Sequence, residues 1–149
     1  MPLKLEHRLG VQAPAQIIWE SLSDLSTWAE WNPLYPKAEG TIRIGEVLTL
    51  ELALPGQPVQ TIQPRVLDWA PEDHIHWRLT MFRGLVNSVR YLEIEVLNDA
   101  ACIVSNGEIF SGLLSPLVRT QRRAIRQGFT AMGEAIKARA EARYAAQTS

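Results

Sequence analysis

Arg90 and Glu108 are two charged residues that the sequence brings together inside the protein. They lie on two predicted strands, residues 87–97 and 100–110, which Asn98-Asp99 joins as a typical two-residue hairpin turn. Such a turn pairs positions whose numbers sum to about 198, so Arg90 is expected opposite Glu108. The apolar residues of both strands have even numbers, and the two charged residues therefore share the inward face.

Three roles are open to this pair, because removing a charge from water is costly. The two charges can satisfy each other and join the strands, or one of them can anchor a mostly apolar ligand. Glu108 is also a candidate general acid or base. Its partners would be Arg90 and a tyrosine, Tyr35 or Tyr91, although the odd number of Tyr91 predicts an outward side chain.

Aromatic residues cluster where the first helical region ends. Trp28 and Trp31 lie three apart, so on a short helix they share a face, and Tyr35 follows the turn at Asn32-Pro33. Such rings combine broad apolar contact with hydrogen-bond donors. The three residues therefore predict a rigid rim for a ligand cavity, and they serve equally well as core that closes one end of a sheet.

Alternation in the strands and helical spacing near the C-terminus give the remaining cavity candidates. These are Trp77, Met81, Leu92, Asn106, Phe110, Gln121, Ile125, Gly128 and Phe129. A glycine inside a helix costs about 1 kcal/mol relative to alanine, so Gly128 predicts either close backbone packing or cavity volume. Gly133 lies off the centre of the same helix face and carries no such expectation.

The order of the predicted elements is typical of an α+β protein. Residues 3–11 alternate as a half-buried strand, a helix follows, and further strands fill residues 38–111. Ser115-Pro116 opens a final helix over about residues 115–143. A long helix against six or seven antiparallel strands predicts a single domain over residues 1–149.

Three segments carry a resemblance to a known family: APAQIIWESLSDLSTWAEWNP, RVLDWAPEDHIHWRL and NGEIFSGLLSPL. Over nearly its whole length the chain resembles the START-like (SRPBCC) superfamily, in its polyketide cyclase/dehydrase-like branch. The resemblance implies a helix-grip fold, in which a curved sheet wraps the C-terminal helix around an apolar cavity. It implies no single activity, since members include lipid carriers, plant ligand carriers, ring cyclases and oxygenase domains.

Composition argues against several classes of protein. The 149 residues are 46% hydrophobic with a net charge of −1, which makes nucleic acid an unfavourable partner. No apolar run approaches the roughly 20 residues of a membrane span. Residues 1–114 hold 8 Lys/Arg and 14 Asp/Glu, against 7 and 2 in residues 115–149, so the C-terminal segment is expected to dock partly by charge. A single cysteine, Cys102, fits a cytoplasmic protein.

The sequence predicts neither a metal site nor a cofactor. His74 and His76 share one face of a strand, but no third ligand stands at a suitable spacing for zinc. Cys102 has no evident basic partner that would activate it as a nucleophile. No glycine-rich phosphate loop or dinucleotide fingerprint is present.

The leading hypothesis is a cytoplasmic protein, monomer or homodimer, that binds a small hydrophobic ligand in an internal cavity. The ligand would be acyl, aromatic or polyketide-like. One alternative is a cyclase- or dehydratase-like enzyme that acts on such a ligand. The other is a co-chaperone-like interaction module that binds a protein through the basic face of the last helix.

Overall fold

The computed structural model describes residues 2–148, which form eight strands and three α-helices. The strands are β1 (Leu3–Val11), β2 (Lys37–Glu39), β3 (Thr49–Leu52), β4 (Gln60–Ile62), β5 (Arg65–Ala70), β6 (His74–Met81), β7 (Val86–Asn98) and β8 (Ala101–Ser111). The α-helices are α1 (Ala15–Ser23), α2 (Trp28–Trp31) and α3 (Arg122–Thr148). Three 3-10 segments lie at Leu25–Thr27, Phe82–Gly84 and Ser115–Gln121.

The strands form two antiparallel sheets on which the helices pack. The large sheet has the order β1-β8-β7-β6-β5, and the small one has the order β2-β3-β4. The long helix α3 packs against the large sheet, chiefly on β1. The predicted α+β class and helix-grip arrangement are confirmed. The strand number is eight over two sheets rather than six or seven.

The register of β7 and β8 agrees with the prediction, although the turn does not. Arg90 lies directly opposite Glu108. The last pair is Asn98 with Ala101, so the turn falls at Asp99-Ala100, one residue later than the sequence suggests. A shift in register between Val96 and Asn98 compensates for the later turn. One irregularity in β7 therefore keeps every inward pair where parity placed it.

Two glycines let α3 approach its neighbours closely. A methyl group at Gly128 would lie 2.8 Å from Leu34 Cδ1, so this glycine serves close packing. At Gly133 it would lie 2.7 Å from Nδ1 of His7 on β1, so the expectation that Gly133 lacks a packing role is wrong. Although α3 has 27 residues, no helix within residues 2–148 is both long and apolar enough to cross a bilayer.

Among the described residues, the charged side chains of α3 form one ion pair with another element. Arg143 approaches Glu20 of α1 at 3.8 Å, and the Arg139 side chain donates a hydrogen bond to Ser21 Oγ at 3.0 Å. The buried side of α3 is instead apolar, with Ile125, Phe129, Met132 and Ile136 against the core. Burial of these residues, rather than ion pairing, therefore holds the helix on the sheet.

Gly107 of β8 makes room for a tyrosine on the outer face of the large sheet. Tyr91 points outward, as its odd number predicts, but it is buried because its hydroxyl lies over Gly107 and donates a hydrogen bond to Glu6. A methyl group at Gly107 would overlap that hydroxyl and lie 2.7 Å from the carbonyl oxygen of Leu5. The glycine therefore permits the close fit of β1, β7 and β8.

Gly107→Ala is expected to lower the free energy of unfolding by about 1–3 kcal/mol, the usual cost of overfilling a packed site. Urea denaturation followed by circular dichroism measures the change. Gly10→Ala is the matched control, because a methyl group at Gly10 on β1 meets nothing within 4 Å. Equal stabilities of the two variants would show that the Tyr91 contact does not constrain the sheet.

Candidate functional site

A cavity of about 340 Å³ lies between the inner face of the large sheet, the small sheet and the start of α3. Its apolar wall consists of Leu52, Leu54, Ile62, Trp77, Leu79, Met81, Phe82, Phe110, Leu117, Val118, Ile125 and Phe129. Its polar wall consists of Tyr35, Gln57, Gln60, Glu108, Thr120 and Gln121. A mostly apolar hollow with a few polar groups is typical of sites for small molecules.

Glu108 is the one ionisable carboxyl in the described cavity wall, and it has no counter-ion within 4.0 Å among residues 2–148. Burial raises the pKa of this carboxyl above its ordinary value, and the charge of Arg90 only partly opposes that effect. The Ser88 hydroxyl also favours the charged form, although it makes no hydrogen bond of normal geometry. Glu108 is therefore available to a molecule in the cavity.

Arg90 lies beneath the cavity wall rather than in it. Its side chain is 1% exposed and donates hydrogen bonds to the Tyr35 hydroxyl at 2.9 Å and to the carbonyl oxygens of Tyr91 and Gly107 at 3.0 Å. The guanidinium carbon lies 4.2 Å from the centre of the Phe129 ring, which covers it on the α3 side. The predicted ion pair between Arg90 and Glu108 is therefore not formed, and Arg90 does not line the cavity as a ligand anchor would.

Tyr35 connects this buried arginine to the cavity. Its ring lines the hollow, while its hydroxyl accepts the hydrogen bond from Arg90. Burial raises the pKa of the phenol, and the Arg90 charge opposes that shift without cancelling it. Tyr35 thus stays neutral at ordinary pH, and its O–H can donate a hydrogen bond.

The two tryptophans predicted at the rim lie behind the cavity. Trp28 is fully buried, donates a hydrogen bond from Nε1 to the Ser21 carbonyl, and stacks on Tyr35 at 5.8 Å between ring centres. Trp31 packs edge-on against Trp28. Tyr35 and Trp77 line the hollow, whereas Trp28 lies in the core and Trp31 packs against it, so the two tryptophans serve as core rather than as rim.

Three further candidates face the interior but do not line the cavity. Leu92 and Asn106 lie deeper between the large sheet and α3, and the amide nitrogen of Asn106 donates to the Phe129 carbonyl at 2.8 Å. The Leu34 side chain packs closely against Gly128. The cavity is displaced from the centre of the helix face toward the start of α3, which is why these positions fall outside it.

The small sheet and the 3-10 segment Ser115–Gln121 supply the part of the wall that the sequence did not predict. Leu52, Leu54 and Ile62 lie on or next to β3 and β4, and Leu117 and Val118 precede α3. The alternation of leucines over residues 48–54 was the signal for this wall. Such alternation indicates which face of a strand is buried, but not that the strand belongs to a second sheet.

Three segments contribute to the edge of the cavity: the β3–β4 loop, the turn at Phe82–Gly84 and the 3-10 segment Ser115–Gln121. Gln57 of the β3–β4 loop donates a hydrogen bond to Gln121, which joins that loop to the start of α3. Phe82 and Arg83 both have left-handed backbone conformations, with φ values of 51° and 56°, which are rare for residues with such side chains. This conformation leaves Phe82, which lines the cavity, 61% exposed at its edge.

A family model described as "Polyketide cyclase / dehydrase and lipid transport" matches residues 2–141 of the chain. Among curated proteins, no sequence matches it. Solved structures with a similar backbone include the Zhui aromatase/cyclase from Streptomyces sp. R1128, with a TM-score of 0.78, 20% identity and 96% coverage of both chains.

Two other solved structures share the fold. Norcoclaurine synthase from Thalictrum flavum, in complex with dopamine and hydroxybenzaldehyde, has a TM-score of 0.70 and 18% identity, over 92% of this chain and 85% of that one. A START superfamily protein from Mycobacterium smegmatis has a TM-score of 0.73 and 17% identity, over 93% and 97%. At these identities the likeness concerns the backbone, and the chemistry depends on the residues described above.

The raised pKa of Glu108 predicts a pH-dependent stability. Between the ordinary pKa of a glutamate and the raised pKa of Glu108, the unfolded chain releases a proton that the folded chain retains, so stability falls as pH rises. Glu108→Gln removes this loss. The melting temperature of the variant relative to the unmodified protein is therefore expected to increase from pH 4 to pH 8, measured by differential scanning fluorimetry.

Glu30→Gln is the control, because Glu30 is exposed on α2 and lies outside the cavity. Its melting temperature is expected to follow that of the unmodified protein across the same pH range. A constant difference between Glu108→Gln and the unmodified protein would mean that the Glu108 carboxyl titrates as it does in water.

Proposed function

Because the chain belongs to the polyketide cyclase/dehydrase and lipid transport family, we propose that it binds a small hydrophobic ligand in the cavity beside Glu108. The START-like resemblance of the sequence is confirmed by this family match. The observation that carries the proposal is the cavity itself, a mostly apolar hollow with one unpaired carboxyl in its wall. Leaving such a carboxyl without a partner is unfavourable unless water or a ligand contacts it.

The size and the polar groups of the cavity define the class of ligand. Its volume of about 340 Å³ lies near the lower end of the roughly 300–1,000 Å³ found for small-molecule sites. This favours a molecule with one or two rings, or a short acyl chain, over a large fused polyketide. Glu108 and Tyr35 favour a hydroxyl or carbonyl group at its inner end, where both can form hydrogen bonds.

Binding is expected to be measurable with N-phenyl-1-naphthylamine, a neutral aromatic probe whose fluorescence increases in apolar surroundings. Leu79→Trp and Val118→Trp each place a larger ring in the wall and are expected to weaken binding at least tenfold. Competition with short fatty acids and hydroxylated naphthalenes then ranks the natural ligand classes.

Leu113→Trp is the matched control, because Leu113 is 81% exposed and lies outside the cavity wall. It is expected to bind the probe as tightly as the unmodified protein does. Equal affinities for all three tryptophan variants would place the probe on the surface and contradict the proposed site.

A cyclase- or dehydratase-like activity is the second candidate, and the unpaired Glu108 favours it. A carboxyl whose pKa is raised above its ordinary value is a stronger base, once ionised, than an ordinary carboxylate. Ring closure of a poly-carbonyl chain requires removal of a proton next to a carbonyl. Glu108 would act as the base for that proton, and the Tyr35 hydroxyl would donate to the carbonyl oxygen.

Phenylacetone tests this activity without knowledge of the natural substrate, because it is small enough for the cavity and its methylene protons exchange slowly in water. In D₂O the unmodified protein is expected to accelerate the replacement of these protons by deuterium, which NMR measures. The acceleration by Glu108→Gln is expected to be about tenfold smaller. Binding of N-phenyl-1-naphthylamine by Glu108→Gln serves as the control for an intact cavity. Equal acceleration by both proteins would exclude Glu108 as the base.

The co-chaperone-like alternative remains a prediction. The exposed arginines at the start of α3 include Arg122 and Arg123. A charge reversal at both positions that abolished binding to a partner protein would support it.

A further inference from the structure

We propose that the outer face of the large sheet holds a zinc site formed by His74, His76 and Asp68. Their candidate ligand atoms all lie within 4.8 Å of one another. The site lies on the face of the sheet opposite the cavity, so the inference is independent of the proposed function. The sequence shows no third ligand at a suitable spacing from the two histidines, and the structure supplies Asp68.

An irregularity in β5 is what brings Asp68 to this face. Val66 pairs with Trp77, but the next pair is Asp68 with His76, which leaves Leu67 unpaired as a bulge. Without the bulge, Asp68 would occupy the inward position opposite Ile75. With it, Asp68 points outward beside His76, and Trp69 takes the inward place and stacks on Trp19 of α1.

The distances suit a small divalent metal ion with nitrogen and oxygen ligands. His74 Nε2 lies 3.0 Å from Asp68 Oδ2, and the His74 and His76 ring centres are 4.5 Å apart. Zinc bonds of about 2.0–2.2 Å place two ligand atoms of a tetrahedral site about 3.3 Å apart. Small side-chain rotations therefore bring the three donors to zinc, and water would take the remaining position.

Two more carboxylates hold the imidazole rings in place. Asp73 Oδ2 lies 2.6 Å from His74 Nδ1, so Nε2 of the same ring is directed toward Asp68. Glu93 Oε2 lies 2.9 Å from His76 Nε2. A carboxylate on the second nitrogen of a histidine is the arrangement that commonly orients histidine ligands of zinc. This is the feature that distinguishes the cluster from a chance group of polar side chains.

Local charge and exposure also favour a cation. Three carboxylates surround the two imidazoles, and they outnumber the one neighbouring cation, Arg78, which is the next residue on the same face of β6. The side chains of His74 and His76 are 17% and 29% exposed, so an ion can reach them. A bound divalent ion would lie between His74 and Asp68, and it would fasten the edge strand β5 to β6.

Titration of the metal-free protein with ZnCl₂ in a calorimeter tests the proposal. One zinc ion per chain is expected, together with a rise in the melting temperature that grows with zinc concentration. CoCl₂ is expected to give the visible absorption bands of four-coordinate cobalt. His74→Gln, His76→Gln and Asp68→Asn, tested separately, are each expected to weaken zinc binding at least tenfold. Asp73→Asn is expected to weaken it about 10- to 100-fold by releasing the ring.

Glu95→Gln is the matched control, since Glu95 lies two residues beyond Glu93 on the same face of β7 and outside the cluster. It is expected to bind zinc as the unmodified protein does, and circular dichroism confirms that each variant is folded. Zinc affinity that is unchanged in both histidine variants, or no saturable binding at millimolar zinc, would overturn the proposal. Binding of the fluorescent cavity probe is expected to stay constant throughout, which separates this test from that of the proposed function.

Discussion

The buried guanidinium of Arg90 joins three parts of the protein around the cavity: the large sheet, the segment that carries Tyr35, and α3. It donates to main-chain carbonyls of β7 and β8, holds the Tyr35 hydroxyl, and lies against the Phe129 ring of α3. Taking a charge this far out of water is costly, and hydrogen bonds and ring contacts offset that cost only while all three parts stay in place. Arg90 therefore adds a polar constraint to the apolar packing that holds α3 over the sheet, and both act on the shape of the hollow.

The same arrangement explains why Glu108 remains unpaired. Arg90 is satisfied by carbonyl oxygens and a phenol, so it does not turn toward the carboxylate directly across the ladder. Arg90 and Glu108 therefore have different roles. Arg90 organises the core beneath the cavity and holds the Tyr35 hydroxyl, and Glu108 contributes the carboxyl of the cavity wall.

Alternation was sufficient to predict which strand residues face inward, because a half-buried sheet fixes every second side chain. Trp77, Met81, Glu108 and Phe110 line the cavity as expected. The direction in which a long side chain turns is not encoded in that pattern, so the hydrogen bonds of Arg90 could not be read from it. Trp28 was ambiguous for a similar reason, since an aromatic ring suits a rim and a core equally.

Irregular backbone caused the other differences between prediction and structure. The bulge at Leu67 reverses the parity of β5, and this concealed the proximity of Asp68 to the two histidines. The separation of β2, β3 and β4 into a second sheet placed Leu52 and Ile62 across from the first sheet, where pairing rules for adjacent strands give no information. Both features depend on tertiary packing, which local periodicity does not report.

The proposed function requires that the hollow between the sheets and α3 receives a small apolar molecule. Intermolecular NOEs between methyl-labelled protein and bound naphthol, measured by NMR, locate such a molecule directly. We expect strong NOEs to the methyl groups of three cavity residues, Leu54, Leu79 and Val118. We expect none to the exposed Leu113. NOEs to Leu113 with none to the three cavity residues would contradict it.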